Sequence, residues 1–164
     1  MNKNWLLVFF LLTILYSCSN AEKERRSTDS IQKPETRSKI AVRKLDSIPW
    51  TAEYNDKTQK LEMQQNRSGF TGLQEDAILN VLNKKYPEIK LEAKGFKGDT
   101  LVVAIKNAFY LTQAMGTTGA DTYLAEATYS LTEIPSVKAV KFEFEEGDHA
   151  IPGVYTRESF SDFR

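Results

Sequence analysis

The sequence predicts an α+β domain in which two helices lie on one face of a mainly antiparallel sheet of about four or five strands. Two observations lead to this prediction. Several short segments alternate apolar and polar residues with the period of two that is typical of strands with one buried face. Two longer segments place apolar residues at helical spacing. Elements that each have one apolar side bury those sides as a two-layer sandwich.

Residues 48–164 form this predicted domain, a size that suits one hydrophobic core. The segment 50–65 predicts a hairpin at its start, because the turn signal Asn-Asp-Lys at 55–57 separates two alternating stretches. The elements that follow are predicted in the order helix, strand, strand, helix, strand. At least one strand of the hairpin precedes them in the sheet.

The first predicted helix begins near Thr71. Thr71 and Gln74 have the spacing of a capping box, in which each side chain bonds to the other residue's backbone N–H. Pro87 is expected to end the helix, because proline cannot continue the backbone hydrogen-bond pattern. The apolar face is predicted to contain Leu73, Ala77, Ile78, Val81 and Leu82.

A second pair of strands follows Pro87. The turn Lys-Gly-Asp at 97–99 connects them, and the wholly apolar run 101–105 is predicted to be a central strand. The first strand of the pair is expected to bury one face and to expose charged residues on the other. Its predicted buried residues are Ile89, Leu91 and Ala93, and its exposed ones are Lys90, Glu92 and Lys94.

The second helix is predicted to begin at Thr118, because residues 118–121 repeat the capping signature. Pro135 is expected to stop it. One stripe of this helix contains Ala120, Tyr123, Leu124, Ala127, Leu131 and Ile134. The last predicted strand buries Val140, Phe142 and Phe144 between charged residues. The closing segment 151–164 either packs back on the domain or stays loose as a partner-binding tail with exposed aromatic residues.

Residues 1–17 are predicted to be a signal peptide. Lys3 supplies a positive charge, and residues 5–16 are apolar except for Thr13. This run is shorter than the roughly 20 residues that cross a bilayer as a helix. Its length is therefore typical of the apolar region of a cleaved signal.

The end of the signal resembles the lipobox of bacterial lipoproteins. Leu15 supplies the aliphatic residue, Ser17 the small residue before the cut, and Cys18 the only thiol in the chain. We therefore expect Cys18 to become an acylated N-terminus, and two or three acyl chains would anchor the protein stably. Ordinary secretory cleavage with an unused Cys18 is the alternative. Ser19 after the cysteine favours the outer membrane, by resemblance to the known sorting pattern, if the cell has two membranes.

Residues 18–47 are predicted to be a flexible tether. The segment is rich in charge, Ser and Thr and has few large apolar residues, so it cannot offset the entropy of ordering. The whole chain contains 22 basic and 22 acidic residues, and this balance does not favour nucleic acid as a partner.

The second half of the domain resembles a GerMN domain, the module named after a spore-germination lipoprotein. In that family a helix ends in Thr-Leu-Thr, and a Pro-Gly-Val-Lys-x-Val stretch then opens a strand that closes with Glu-Gly or Asp-Gly. Here residues 130–132 are Ser-Leu-Thr, and residues 135–140 are Pro-Ser-Val-Lys-Ala-Val. Glu146 and Gly147 close the strand.

The resemblance covers about residues 70–149, with 101–105, Asn107 and Phe109 fitting the preceding strand and turn. It implies an envelope lipoprotein whose small α+β domain is similar to ring-building motifs of secretion and sporulation machinery. Such domains pack against other protein surfaces, so the resemblance implies a protein partner or self-assembly. It implies no catalytic residues and no cofactor.

Two segments are candidates for a binding surface, 115–120 and 146–153. The first has two glycines before a helix start, where backbone N–H groups are available to an anion, although no phosphate-binding motif accompanies them. The second holds the only histidine beside acidic residues. The candidate residues are Met115, Gly116, Thr117, Thr118, Gly119, Glu146, Asp148 and His149.

Two other function classes remain open. A metal-dependent hydrolase would use the acidic run near His149, but Glu143 and Glu145 share a strand face while Asp148 and His149 follow in the turn. This pattern favours a solvated strand face over a metal site, and no Gly-x-Ser-x-Gly motif is present in 1–164. A binder of cell-wall glycan or a small ligand would use aromatic platforms, for which the candidates are Tyr110, Tyr123 and Tyr155.

Overall fold

The computed structural model describes residues 45–66 and 72–163. The predictions for Leu15, Ser17, Cys18 and Thr71 lie outside these residues. The chain divides into two compact units, of which the second begins at residue 38, and the fold described here belongs to that second unit. Leu45 is buried in its core, so the packed part of the chain includes this residue.

The described residues form an α+β fold with two sheets. The strands and the two α-helices are β1 (Trp50–Asn55), β2 (Lys60–Gln65), α1 (Glu75–Lys85), β3 (Leu91–Lys97), β4 (Thr100–Ile105), α2 (Gly116–Leu131), β5 (Ala139–Glu143) and β6 (Gly153–Tyr155). A π-helical turn, Tyr110–Ala114, precedes α2, and a 3₁₀ segment, Arg157–Phe163, follows β6. The predicted order of helix, strand, strand, helix and strand is therefore confirmed.

The main sheet has the strand order β3-β4-β5-β6. Its outer pairings are antiparallel, whereas β4 and β5 run parallel. A parallel pair needs a crossover connection, and α2 supplies it. The run 101–105 is central, as predicted: Leu101, Val103 and Ile105 join the core with α1 and α2, while Val102 and Ala104 lie on the opposite face.

The expectation of a single sheet is wrong. β1 and β2 pair only with each other, as a separate two-stranded sheet. β1 packs on α2 instead, where the backbone N–H of Ala52 donates to Glu126 and that of Trp50 donates to Ser130 Oγ. As a result every residue from Tyr123 to Leu131 is buried, which is more than the one apolar stripe that the sequence predicts.

The turn chemistry of the hairpin agrees with the sequence. Asn55 accepts a hydrogen bond from the N–H of Lys57 through its side chain and from the N–H of Gln59 through its carbonyl oxygen. Gln59 adopts a positive φ of 55° to close the turn. Asparagine suits this position because its side chain bonds to backbone two residues ahead.

Neither helix begins where its capping signature predicts. Gln74 is itself the N-cap of α1 and makes no side-chain capping bond. Helix α2 begins at Gly116 with Met115 as its N-cap, so Thr118 lies inside the first turn. The π-helical turn leads directly into α2, and Gly116 joins the two with a φ of 71° that favours glycine. The chain therefore needs no hydroxyl cap at Thr118.

Two smaller predictions also need correction. Ala93 is exposed rather than buried, although it pairs with the buried Val103, because it lies on β3, the edge strand of the main sheet. Ile134 is buried, but it lies beyond the end of α2. Tyr86 caps α1 one residue before Pro87, so that predicted helix end is confirmed.

The closing segment packs back on the domain. β6, which the sequence did not predict, pairs antiparallel with β5. The ring of Tyr155 stacks on Phe160 with centroids 5.6 Å apart, and Phe163 meets Phe160 edge-on at 6.1 Å. Phe160 is buried, so these aromatic side chains complete the core.

Candidate binding surface

The structure brings the two candidate segments together. Thr117, in the first turn of α2, places its Oγ1 3.2 Å from Nδ1 of His149, in the loop between β5 and β6. Both segments were predicted as candidates from the sequence, but their contact with each other was not. They form one continuous surface, because the parallel β4–β5 pair sets the start of α2 beside the end of β5.

The loop after β5 rests on the π-helical turn. The N–H of His149 donates to the carbonyl oxygen of Thr112 at 3.0 Å. Gly147 approaches so closely that a Cβ there would lie 2.6 Å from Thr112 Cβ and from the side-chain amide of Gln113. Only glycine fits without displacing a neighbour, so this close approach fixes the position of the loop.

Gln113 and Asp148 form a reciprocal pair between the same two segments. With its amide nitrogen facing the carboxylate, Gln113 donates to Asp148 Oδ2 at 3.1 Å and accepts from the N–H of Asp148 at 3.2 Å. Thr112 donates its hydroxyl to the carbonyl oxygen of Ala108 and so satisfies its buried oxygen locally. The surface is therefore ordered by its own hydrogen bonds before any partner binds.

A cleft of about 260 Å³ opens between this loop and the chain that precedes the π-helical turn. Phe109 stands at its edge with 67% of its surface exposed, and the neighbouring Tyr110 is 38% exposed. Glu145 and Glu146 contribute carboxylates to its lining. The residues that line the cleft are Lys106, Asn107, Ala108, Phe109, Thr112, Gln113, Glu145 and Glu146.

The lysine at the cleft is engaged elsewhere. Lys106 Nζ lies 3.0 Å from Glu92 Oε1, on the outer face of the main sheet. This hydrogen bond is the main reason that the pKa of Glu92 lies below its usual range. Lys141 and Glu143 form a similar exposed pair at 2.7 Å, and it lowers the pKa of Glu143.

We call the cleft, together with Phe109, Glu145 and Glu146, the acidic cleft.

The acidic run near His149 does not converge on a point. Glu143 faces Lys141, Asp148 faces Gln113, and the imidazole faces Thr117. Within residues 45–66 and 72–163 no group of three or more His, Cys, Asp or Glu side chains is arranged to hold a metal ion. In the same residues no helix has the length and apolar character needed to cross a membrane.

The candidate aromatic platforms differ in their availability. Tyr123 is completely buried, where it meets Tyr86 edge-on at 5.0 Å, so it cannot stack on a ligand. Burial raises the pKa of the Tyr123 hydroxyl far above its usual range. The ring of Tyr155 packs on Phe142 and Phe160 as part of the folded closing segment, so it is not available for stacking on a ligand. Tyr110 remains available, beside the exposed Phe109 that the sequence analysis placed only in a turn.

A second cleft, of about 390 Å³, lies where Thr118 and Asp121 of α2 face Asp162 and Phe163 of the closing segment, with Lys60 and Leu61 of β2 alongside. Burial raises the pKa of the Asp121 carboxyl. Thr118 therefore borders this second cleft, whereas Thr117 belongs to the surface around His149.

A buried polar network around Glu126 of α2 was not predicted from the sequence. Glu126 is 1% exposed, and its carboxylate accepts from Lys85 Nζ and from the hydroxyl of Tyr86, each at 2.7 Å, and from the N–H of Ala52 at 2.9 Å. Just beyond the end of α2, Glu133 accepts a hydrogen bond from Arg157 at 2.6 Å. The sequence does contain a signal for this network: Glu126 lies between two alanines on an apolar helix. A carboxylate buried at such a position requires hydrogen-bonding partners.

The guanidinium of Arg157 lies over two aromatic rings that also contact each other edge-on, with centroids 5.3 Å apart. Its central carbon is 5.1 Å from the ring centroids of both Trp50 and Tyr129. Glu133 also accepts from Trp50 Nε1 at 2.8 Å. These contacts tie β1, α2 and the closing segment together, and we interpret this network as structural.

Comparison with known proteins adds no relative: no family model, no curated protein and no solved structure matches this chain. The evidence about its function therefore comes from its own residues. These are the predicted signal at residues 1–17 and the ordered surface around His149 and Phe109.

Proposed function

We propose that this chain is a lipid-anchored protein of the cell envelope whose domain binds a protein partner and catalyses no reaction. The contact of Thr117 with His149 carries the proposal, because it joins the two candidate segments into one ordered surface beside exposed aromatic rings. Exposed aromatic side chains at the edge of a cleft are typical anchors of protein interfaces. The membrane anchor is proposed from Leu15, Ser17 and Cys18.

The proposed fold within this class is GerMN-like. The order of α1, β3, β4, α2 and β5 supports the likeness, as do the Ser-Leu-Thr end of α2 and the Pro-Ser-Val-Lys-Ala-Val entry to β5. The Glu146–Gly147 closure supports it too, because Gly147 is required by its close approach to the π-helical turn.

The anchor is tested in cells of a bacterial host. Full-length chain is expected to incorporate labelled fatty acid and to fractionate with membranes. Cys18→Ser removes the thioether bond, so we expect it to lose the label and to accumulate as uncleaved precursor. Equal processing and equal fractionation of both chains would contradict the lipid anchor.

The partner surface is tested by crosslinking in the same cells. A photoreactive amino acid at Phe109 is expected to form a discrete protein adduct, because that side chain is exposed at the surface. The control position is Tyr54, which is 59% exposed but lies on the β1–β2 hairpin. No adduct at Phe109, or the same adducts from both positions, would count against a partner at this surface.

A binder of cell-wall glycan is the second candidate. Phe109 and Tyr110 are adjacent exposed rings near two carboxylates, a combination that suits sugar stacking and hydrogen bonding. This candidate predicts that full-length protein is retained on isolated cell wall and that Tyr110→Ala lowers the retention. The protein-partner proposal predicts no such loss.

A further inference from the structure

The acidic cleft carries an excess of negative charge that the described residues do not neutralise. Neither Glu145 nor Glu146 forms an ion pair with any residue in 45–66 or 72–163, and both are exposed. Lys106, the only cation in the cleft lining, is bound to Glu92. A cationic group that entered the cleft would therefore meet two carboxylates without displacing an existing pair.

The aromatic edge of the cleft favours the same kind of ligand. The ring of Phe109 is 67% exposed, and the face of an aromatic ring attracts an ammonium or guanidinium group. An anion would meet repulsion from Glu145 and Glu146, and a wholly apolar group would leave their carboxylates desolvated. Charge complementarity therefore selects a cation that has an apolar stem.

The size of the cleft limits the ligand further. At about 260 Å³ it is smaller than the roughly 300–1,000 Å³ typical of small-molecule sites. It is open to solvent rather than enclosed, so a side chain can enter while its backbone stays outside. The anchored loop lowers the ordering cost, because Gly147 and the Gln113–Asp148 pair already hold it.

We infer that the acidic cleft receives a lysine or arginine side chain from a basic segment of a partner protein. The inference rests on the proposed function and deepens it by stating the chemistry of the partner. The aliphatic stem lies along the Phe109 ring, and the charged head lies between Glu145 and Glu146.

The binding test uses the full-length chain in a non-ionic detergent at about 0.15 M salt, where charges separated by more than about 8 Å are largely screened. The probe is an acetylated hexalysine peptide, and hexaglutamate is the opposite-charge control. Heteronuclear NMR is expected to show hexalysine-dependent shifts at Phe109, Glu145 and Glu146. Hexaglutamate is expected to cause none.

The double variant Glu145→Gln/Glu146→Gln is expected to bind hexalysine about fivefold more weakly, since each exposed charge pair contributes modestly. The matched control is Glu53→Gln/Glu88→Gln, which removes the same charge from exposed positions elsewhere. We expect this control to change the Kd by less than about twofold, because distant charges are screened. Equal losses in both double variants would overturn the inference, because net charge alone would then explain binding.

The aromatic contribution is tested separately. Phe109→Leu keeps an apolar side chain but removes the ring, and we expect about threefold weaker binding of hexalysine, whereas Phe109→Trp retains it. Equal binding by the leucine and tryptophan variants would remove Phe109 from the site.

The crosslinking experiment at Phe109 separates this inference from the proposed function. An adduct whose partner peptide contains clustered Lys or Arg supports both. An adduct on a partner segment without basic residues supports the proposed function and overturns the basic-segment inference. An adduct formed within the chain itself, to residues 19–44, would also overturn the inference of an external partner.

Discussion

The hydroxyl of Thr117 lies 3.2 Å from the imidazole Nδ1 of His149, although the two residues are 32 positions apart. The contact closes a set of hydrogen bonds that joins the π-helical turn, the start of α2 and the loop after β5. Because these three segments support one another, the surface beside the acidic cleft has a defined shape. The effect of replacing a single residue of this surface can therefore be predicted from its contacts.

Gly147 is predicted to be indispensable for this shape. Gly147→Ala would place a Cβ 2.6 Å from Thr112 Cβ, and the buried threonine cannot move away as a flexible chain end would. We expect the free energy of unfolding to fall by about 1–3 kcal/mol. We also expect the NMR signals of residues 112–117 to shift.

Gly153→Ala is the matched control, because its Cβ would meet Tyr155 at an ordinary distance of 3.7 Å. Urea unfolding of the two variants checks the prediction. Equal stabilities of the Gly147 and Gly153 variants would show that the close approach does not constrain the loop.

Glu126 is predicted to attach the β1–β2 hairpin to the helices. Glu126→Ala leaves the Tyr86 hydroxyl and the Ala52 N–H without their acceptor, and we expect a loss of about 3 kcal/mol in the free energy of unfolding. Glu126→Gln retains one carbonyl oxygen and is expected to lose about 1 kcal/mol. Lys85 is 39% exposed and can return to water in both variants.

The control for this prediction is Glu143→Gln, which breaks an exposed pair with Lys141 and should cost less than about 1 kcal/mol. Denaturant unfolding measures all three variants. A Glu126→Ala chain as stable as the Glu143→Gln chain would contradict a structural role for the buried carboxylate.

Arg157 is predicted to act through its shape as well as its charge. It donates to Thr132 Oγ1 at 2.8 Å and to Glu133 at 2.6 Å while its guanidinium contacts the rings of Trp50 and Tyr129. Lysine cannot provide this planar set of donors, so we expect Arg157→Lys to lose about 2 kcal/mol of unfolding free energy.

Lys138→Ala is the comparison, because its pair with Asp99 is long, at 3.9 Å, and highly exposed. We expect that change to cost less than about 1 kcal/mol. Thermal and urea unfolding measure the difference. Full stability of the Arg157→Lys chain would mean that the positive charge alone is sufficient.

Asp121 is predicted to weaken the fold at neutral pH. Burial raises the pKa of its carboxyl in the folded state, so folding favours the protonated form. Above that raised pKa the carboxylate must be desolvated, and stability is lost as pH rises through it. Asp121→Asn is therefore expected to raise the free energy of unfolding at pH 7.

At about pH 3, below the ordinary aspartate pKa of about 3.9, the aspartate is largely protonated in both states and the two chains should become similar in stability. The exposed Glu88→Gln change alters net charge equally and serves as the control. Urea unfolding from pH 3 to 8 checks the sign. A stabilising effect of Asp121→Asn that grows toward low pH would contradict it.

Several features of the fold were predictable because they depend on local spacing. The alternation around Val140 and Phe142, the apolar run 101–105 and the helical face of α1 are all buried as expected. Pro87 acts within its own neighbourhood, so its effect on the end of α1 was predictable too. Such patterns depend on the side chain and the next few residues alone.

The failures have a common origin in contacts from elsewhere in the fold. Thr118 has the spacing of a cap, but the π-helical turn before it already supplies the start of α2. Ala93 lies in an alternating run, but it is exposed on β3, the edge strand of the main sheet. Tyr123 looked available as an aromatic platform, but α1 covers it through Tyr86.

By itself the sequence determined the order of the two α-helices and of strands β1 to β5, the polar turns that separate them, and most of their buried apolar residues. Only the tertiary structure decided that the β1–β2 hairpin leaves the main sheet to cover α2, and that Thr117 meets His149 beside Phe109 and an acidic pair. The physical reason is the distance in sequence over which each effect operates. The spacing of apolar residues that specifies a helix or a strand involves only a few neighbouring residues, whereas a binding surface is built by the pairing of strands distant in the chain.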